Sequence, residues 1–386
     1  MNIQEIDRTY VAGTYKRFPI TIVAGRGSVV EDDKGKKYID MGAGLAVTSF
    51  GIGDDEWKKA VTEQMNKVQH MSNLYYTEPC AKLARMLCER TGMKKVFFSN
   101  SGAEANECAI KVARKYAADK HGPEFYNIIT LKNSFHGRTL ATLAATGQEH
   151  YHELFRPLPE GFLYAEANNF DEMKKLIDEN KVAAVMFECI QGEGGVVPLD
   201  ADYLKAVERY AKERDIILIA DEVQTGNGRT GELYAYMGCG ISPDLVSTAK
   251  GLAGGLPLGA TLMSEKVQNV LGYGDHGSTF GGNPVCAAAA ISILSRIDDA
   301  LLADVRKKSE YLFSEFEGAE GIESVSGRGL MIGIKTAKPA GEVVAACMEK
   351  GVLCLTAKDR VRLLPALNIP MEKLVEAAQI IKDCCK

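Results

Sequence analysis

The chain has 386 residues, 46% hydrophobic and 25% charged, with a formal net charge of −5. That length exceeds what one compact core accommodates, so two lobes are expected. The mild acidity argues against a polyanion partner, and the longest basic run, Lys34-Gly35-Lys36-Lys37, reads as a solvated turn, so nucleic acid is not expected to bind.

The first residues, Met1-Asn2-Ile3-Gln4-Glu5-Ile6-Asp7-Arg8, carry charge where a signal peptide needs an apolar run. No uncharged apolar stretch reaches about 18 residues, so a soluble, cytoplasmic chain without a membrane span is expected. Residues 1–53 hold short extended stretches, a hairpin around 31–35 and a glycine-containing loop at 42–53, and read as an arm. From Asp54 the pattern alternates: helices 55–70, 79–91 and 102–120, strands 95–99, 127–131 and 183–188, helix 201–214, then strands 216–220 and 244–247. Strands separated by helices predict an α/β fold with a mainly parallel sheet covered on both faces. This large domain is expected to span 54–284. After Asn283-Pro284 an alanine-rich helix leads into a smaller α/β domain, 285–386, with strands 328–334 and 351–355 and helices 341–350 and 371–382.

Ten cysteines without a CxxC pair fit unpaired thiols in a reducing compartment, several of them (Cys80, Cys88, Cys108, Cys347) in apolar helical stretches. His150 and His152 are two apart, not at the i, i+4 spacing of a helical metal site, so surface histidines and no metal are expected.

Ser99-Asn100-Ser101-Gly102-Ala103-Glu104 closes a strand and opens a long helix, with Ser101 as N-cap and Glu104 three residues on. A cap alone would explain these residues. Gly102, however, leaves the first-turn amides open to close approach, and a helix start beyond a parallel strand is suited to a phosphate. Further on, the wholly apolar run 216–220 delivers Asp221 and Glu222 to the sheet's carboxyl edge, and Leu245-Val246-Ser247-Thr248-Ala249 delivers Lys250 beside small residues. A lysine in dry surroundings favours the neutral amine, which can attack an aldehyde. A carboxylate paired with a pyridine nitrogen keeps it protonated, and such a ring accepts electrons left by C–H cleavage. The same lysine can then shuttle a proton as base and acid. The glycines at 251–259 lack the GxGxxG spacing of a nicotinamide site.

Six motifs in order resemble the class III aminotransferases of fold type I, and most closely the acetylornithine aminotransferases. They are Ser99-Asn100-Ser101-Gly102-Ala103-Glu104-Ala105-Asn106-Glu107, Ser134-Phe135-His136-Gly137-Arg138-Thr139, Gln191-Gly192-Glu193-Gly194-Gly195, Asp221-Glu222-Val223-Gln224-Thr225-Gly226, Ala249-Lys250-Gly251 and His276-Gly277-Ser278-Thr279-Phe280-Gly281-Gly282-Asn283-Pro284. The resemblance runs from about residue 18 to residue 367. It implies pyridoxal 5'-phosphate as cofactor, covalently held by Lys250 with its ring nitrogen on Asp221. It further implies the phosphate on the Ser101, Gly102 and Ala103 turn, Phe135 and Val223 on opposite ring faces, and Gln224 at the phenolic oxygen. Thr279 is similar to a residue that reaches the phosphate in the other subunit, with Ser278 near the substrate, which implies a homodimer with shared sites.

For substrate, the resemblance implies that Arg138 grips a carboxylate, a task suited to a rigid two-donor fork. Arg362 resembles a second carboxylate-binding arginine, neutralised by Glu193 when no second carboxylate is present. Leu45 stands where ornithine aminotransferases carry a tyrosine that helps select the free amino acid. The implied reaction moves the δ-amino group of N2-acetyl-L-ornithine to 2-oxoglutarate in arginine biosynthesis. Ornithine, succinylornithine, succinyldiaminopimelate or 4-aminobutyrate as donor, an aminomutase, and a non-catalytic protein on this scaffold are the alternatives. Two departures from the family pattern stand out: Phe50-Gly51-Ile52-Gly53-Asp54-Asp55 replaces a glycine-histidine followed by proline, and Cys189 replaces a common proline.

Overall fold

The computed structural model describes residues 2–386, so Met1 of the expected arm lies outside the described residues. A seven-stranded sheet forms the centre, in the spatial order Lys95–Ser99, Gly259–Met263, Leu245–Thr248, Ile217–Asp221, Val182–Phe187, Asn127–Leu131 and Phe162–Ala165. All neighbours are parallel except the two pairs made by Gly259–Met263. Val182–Phe187 and Ile217–Asp221 are buried along their whole length, which is why they read as unbroken apolar runs.

The helix Gly102–His121 buries alanines, Cys108, Ile110, Val112 and Tyr116. Its small residues let its axis lie close over the strands Leu245–Thr248 and Gly259–Met263, and Thr261 Oγ1 donates to Ala105 O at 2.7 Å. Each fully buried Ile or Val there contributes about 1.5–3 kcal/mol relative to exposure. The helix Pro284–Leu294, expected to open the C-terminal domain, packs on Asp55–Met65 and Glu78–Thr91 and adds Ala287, Ala290 and Ile293 to the large core.

A second core lies between the helices Asp299–Phe316, Ala340–Glu349 and Met371–Cys385 and two small sheets. One sheet joins Ile322–Arg328, Met331–Thr336, Arg360–Leu363 and Leu355–Ala357. In the other, the arm strand Lys37–Asp40 pairs in parallel with Val352–Leu353, and Ile39 and Met41 enter this core.

Several details differ from the sequence reading. The expected helix 55–70 stops at Met65, and the expected strand 328–334 is a hairpin that turns between Arg328 and Met331. Gly329, at φ +61, makes that turn, where a Cβ would stand 2.4 Å from Arg229 O. Strand 351–355 is broken into Val352–Leu353 and Leu355–Ala357. His152 is buried, not on the surface, because its Nε2 lies against the carbonyls of Leu143 (2.8 Å) and Thr146 (2.7 Å).

Candidate active site

Parallel strands place their carboxyl ends on one edge, and the cavity lies there. It measures about 580 Å³ and its walls include Ser101, Gly102, Ala103, Phe135, Arg138, Asp221, Val223, Gln224 and Lys250. Nine of the residues singled out in the sequence thus converge on one space.

The phosphate-type end is the start of the helix Gly102–His121. Ser101 caps it, its Oγ accepting from Glu104 N at 3.2 Å. The acid closes the turn one residue earlier than a capping box requires: Glu104 Oε2 accepts from Asn100 N at 2.9 Å. A Cβ on Gly102 would stand 2.6 Å from Val223 Cγ1, so any side chain here displaces Val223 from the opposite wall.

Asp221 ends its strand beside Ser247, its parallel partner, which places it one strand away from the segment leading to Lys250. The carboxylate is buried and accepts from three donors: Asn106 Nδ2 at 2.8 Å and His136 Nδ1 at 2.8 Å on Oδ2, and Val223 N at 3.0 Å on Oδ1. His136 and Asn106 were not singled out in the sequence, and both serve to orient this acid. Glu222 turns the other way and is also buried, accepting from Thr225 Oγ1 (2.5 Å), Ala235 N (3.0 Å) and Tyr236 N (2.8 Å). Burial pushes its carboxyl up to about 7.

Lys250 has φ +46, a conformation rare for residues with a side chain and a mark of a constrained site. Burial lowers its amine below the ordinary lysine value; Glu193 raises it, Arg362 lowers it, and the net effect is downward. Among the described residues no carboxylate ion-pairs with it, so the amine faces the cavity uncommitted.

Arg138 lies at the rim, exposed, with its guanidinium 4.2 Å from the Tyr151 ring centroid and 5.4 Å from that of Phe135. Stacking holds the fork while leaving its donors free. Glu193 and Arg362 stand behind the wall as an ion pair at 2.6 Å, and Arg362 Nη1 also reaches Gln224 Oε1 at 3.2 Å. Tyr15, from the arm, and Val47 complete the rim.

Three residues lie elsewhere. Thr279 is exposed and Ser278 half-buried on a separate open face with His70, Leu74 and Phe97; Ser278 Oγ touches the main site only through Asn100 Nδ2, at 3.0 Å. Leu45 lines neither space. It faces an apolar cavity of about 440 Å³ with Phe18, Ile20, Met348 and Leu355. The cause is backbone: Ala43, Gly44, Leu45 and Ala46 all have positive φ, a left-handed turn that aims the side chain away from Lys250.

The cavity fits pyridoxal phosphate on its own chemistry. It joins an N-capped helix start without a side chain at Gly102, a buried carboxylate held by three donors, an amine kept toward its neutral form, and an unpartnered buried nitrogen, His136 Nε2. Comparison with known proteins agrees. The class-III aminotransferase family matches residues 10–385. The acetylornithine aminotransferase of Haemophilus ducreyi is 47% identical over 381 residues, 98% of this chain and 97% of that protein. The N-acetylornithine aminotransferase of Stenotrophomonas maltophilia superposes with a TM-score of 0.86 at 34% identity, covering 98% of this chain and 97% of that one. An ornithine aminotransferase of Toxoplasma gondii, with pyridoxal phosphate at partial occupancy in its active site, superposes with a TM-score of 0.94 at 30% identity, covering 99% and 93%. The chain belongs to the class-III aminotransferases and is a pyridoxal-phosphate-dependent transaminase of fold type I.

Proposed function

We propose that this transaminase moves the δ-amino group of N2-acetyl-L-ornithine to 2-oxoglutarate, giving N-acetyl-L-glutamate 5-semialdehyde and L-glutamate in arginine biosynthesis. The observation that carries the reading is the pairing of a free, stacked arginine at the rim with a second, glutamate-neutralised arginine behind the wall. An acetylated amino acid brings one carboxylate and 2-oxoglutarate brings two, so one pocket must offer one cation at one time and two at another. The 47% identity to an acetylornithine aminotransferase supports the same substrate.

Pyridoxal phosphate, when bound, supplies an aldehyde for the amine and a pyridine ring that accepts the electrons of the breaking C–H bond. In this reading Lys250 holds it covalently, and Asp221, fixed by His136, Asn106 and Val223 N, keeps its ring nitrogen protonated. The amides of Gly102 and Ala103 with Ser101 hold its phosphate at the helix start. Phe135 and Val223 would lie against its two faces, and Gln224 would meet its phenolic oxygen. Arg138 would orient the substrate through its carboxylate, and Lys250, its amine shifted toward the neutral form by burial, would take up a proton as base and return it as acid. Glu193 pairs with Arg362 during the acetylornithine half-reaction and yields it to the second carboxylate of 2-oxoglutarate.

Thr279 and Ser278 act across a homodimer interface, since they sit with the exposed Leu74 and Phe280 on an open face of their own chain. Ten unpaired cysteines suit the cytoplasm as compartment. An arm, a large cofactor-binding lobe and a small C-terminal lobe are the proposed division, the two cores giving the lobes their separate interiors.

The test is a panel of acetylornithine, ornithine, succinylornithine and 4-aminobutyrate with 2-oxoglutarate, together with borohydride reduction and peptide mapping. Acetylornithine should show the highest kcat/KM and Lys250 should carry the label. Preference for another donor overturns the substrate, and an unlabelled Lys250 overturns the site.

A further inference from the structure

Glu188 follows the buried strand Val182–Phe187 and lines the cavity, yet none of the roles above uses it. Its two oxygens are divided between two different loops. Oε1 accepts from Phe135 N at 2.9 Å and Oε2 from Gly192 N at 3.2 Å. The Phe135 loop carries Arg138 at the rim, whereas the Gly192 loop carries Glu193 and, through it, Arg362. The two loops also touch further out, where Gln191 Nε2 donates to Lys132 O at 2.9 Å and a Cβ on Gly194 would stand 2.6 Å from Asn133 O. Of these ties, Glu188 is the one whose side chain reaches the cavity.

Two buried amide N–H groups facing different ways need two acceptors. A glutamine has one carbonyl oxygen and would turn its NH2 against the second N–H; an apolar residue would leave both amides unpaired. The carboxylate stands here although burial raises its pKa to about 7, with His136 opposing that rise and Asp221 adding to it. Glu188 is also close enough to raise the Lys250 amine, against the net downward shift that burial gives it. A group this costly to bury, with both oxygens engaged by site loops, is placed for geometry more than for stability.

We propose that Glu188 is a positioning residue that sets the register between the Arg138 loop and the Glu193 loop, and thereby the length of amino donor the pocket accepts. This rests on the reading of Arg138, Glu193 and Arg362 given above. With the tie intact, the Arg138 loop keeps a fixed place against the Gly192 loop, so a donor of the wrong length cannot place its amine at Lys250 while its carboxylate rests on Arg138. With one tie cut, the loops slide and the pocket discriminates less.

The experiment uses the cofactor-loaded enzyme with Glu188→Gln and Glu188→Ala. For each, kcat/KM is measured for acetylornithine and for 4-aminobutyrate, along with the visible circular dichroism of the bound cofactor and thermal unfolding. Glu188→Gln should lower kcat/KM for acetylornithine about tenfold, one hydrogen bond's worth, with a smaller loss for 4-aminobutyrate. Their ratio should therefore compress, the dichroic band should weaken, and Glu188→Ala should do all of this more strongly. Equal losses for both donors with an unchanged band, or no loss at all, overturn the proposal. If Glu188→Ala does not fold, Glu188→Gln alone decides. Wild-type enzyme that fails to load cofactor or to use acetylornithine refutes the functional reading instead, an outcome distinct from either.

Discussion

Gly102 sits at the start of the helix Gly102–His121, where two effects oppose each other on substitution by alanine. Alanine favours a helix interior by up to about 1 kcal/mol, and less in the first turn. Against this, the new Cβ would stand 2.6 Å from Val223 Cγ1 and 2.9 Å from Cγ2, distances that force a shift. In the cofactor-free protein Val223 can swing into the cavity of about 580 Å³ that it lines, so the clash is relieved. With the ring in place that space is taken, and the overpacking cost of about 1–3 kcal/mol falls on the loaded state alone. Gly102→Ala should therefore leave thermal unfolding of the cofactor-free protein within a few degrees of wild type while weakening cofactor binding roughly 5- to 150-fold. Titration of the cofactor-free enzyme with pyridoxal phosphate, followed by absorbance, reads the affinity. Adding Val223→Ala should restore much of the loss, a coupling expected only of residues in contact. Affinity within twofold of wild type for Gly102→Ala, or no rescue in the double variant, refutes the reasoning.

Arg229 is buried and, among the described residues, has no acidic partner; its Nη1 is bonded to the carbonyls of Leu330 and Pro365, and burial lowers its pKa to about 9. Arg229→Met should destabilise by about 2–5 kcal/mol, read by denaturant unfolding, because both buried carbonyls lose their donor. For Glu193, burial pushes the carboxyl up, but the charge and hydrogen bond of Arg362 outweigh it and the net shift is downward. A depressed carboxyl keeps its stabilising pair above its unfolded value and loses it as pH falls through the lower folded value, so the pair stays closed at neutral pH and opens only below the ordinary carboxylate range. At neutral pH Glu193→Gln should move the two half-reactions in opposite senses, raising the KM for acetylornithine and lowering that for 2-oxoglutarate by about tenfold each. Stopped-flow half-reactions check this, and a shift of both in one direction counts against the switch.

Lys250 and Asp221 were legible because an ionisable residue at the end of an apolar strand stands out in one dimension, and Gly102 was legible because a glycine beside a capping serine does the same. What the sequence withheld is of another kind. The strand Gly259–Met263 follows a glycine-rich run that reads as loop, and only its antiparallel pairing on both sides makes it a strand. Leu45 stands where ornithine aminotransferases carry a substrate-selecting tyrosine, yet four successive positive φ values turn it to another cavity; no residue pattern announces a leucine at φ +66. Asn106, His136 and Glu188 come from a helix, from the loop after one strand and from the end of another, and they meet at Asp221 and Phe135 only because Asn127–Leu131, Val182–Phe187 and Ile217–Asp221 are neighbours in the sheet. Each is an ordinary polar residue in its own segment. Groups that react must be unusual in kind, so they show locally. Those that orient them need only be correctly placed, and placement is a property of the sheet order, which is why a reading of this chain finds the amine and the acid before it finds what holds them still.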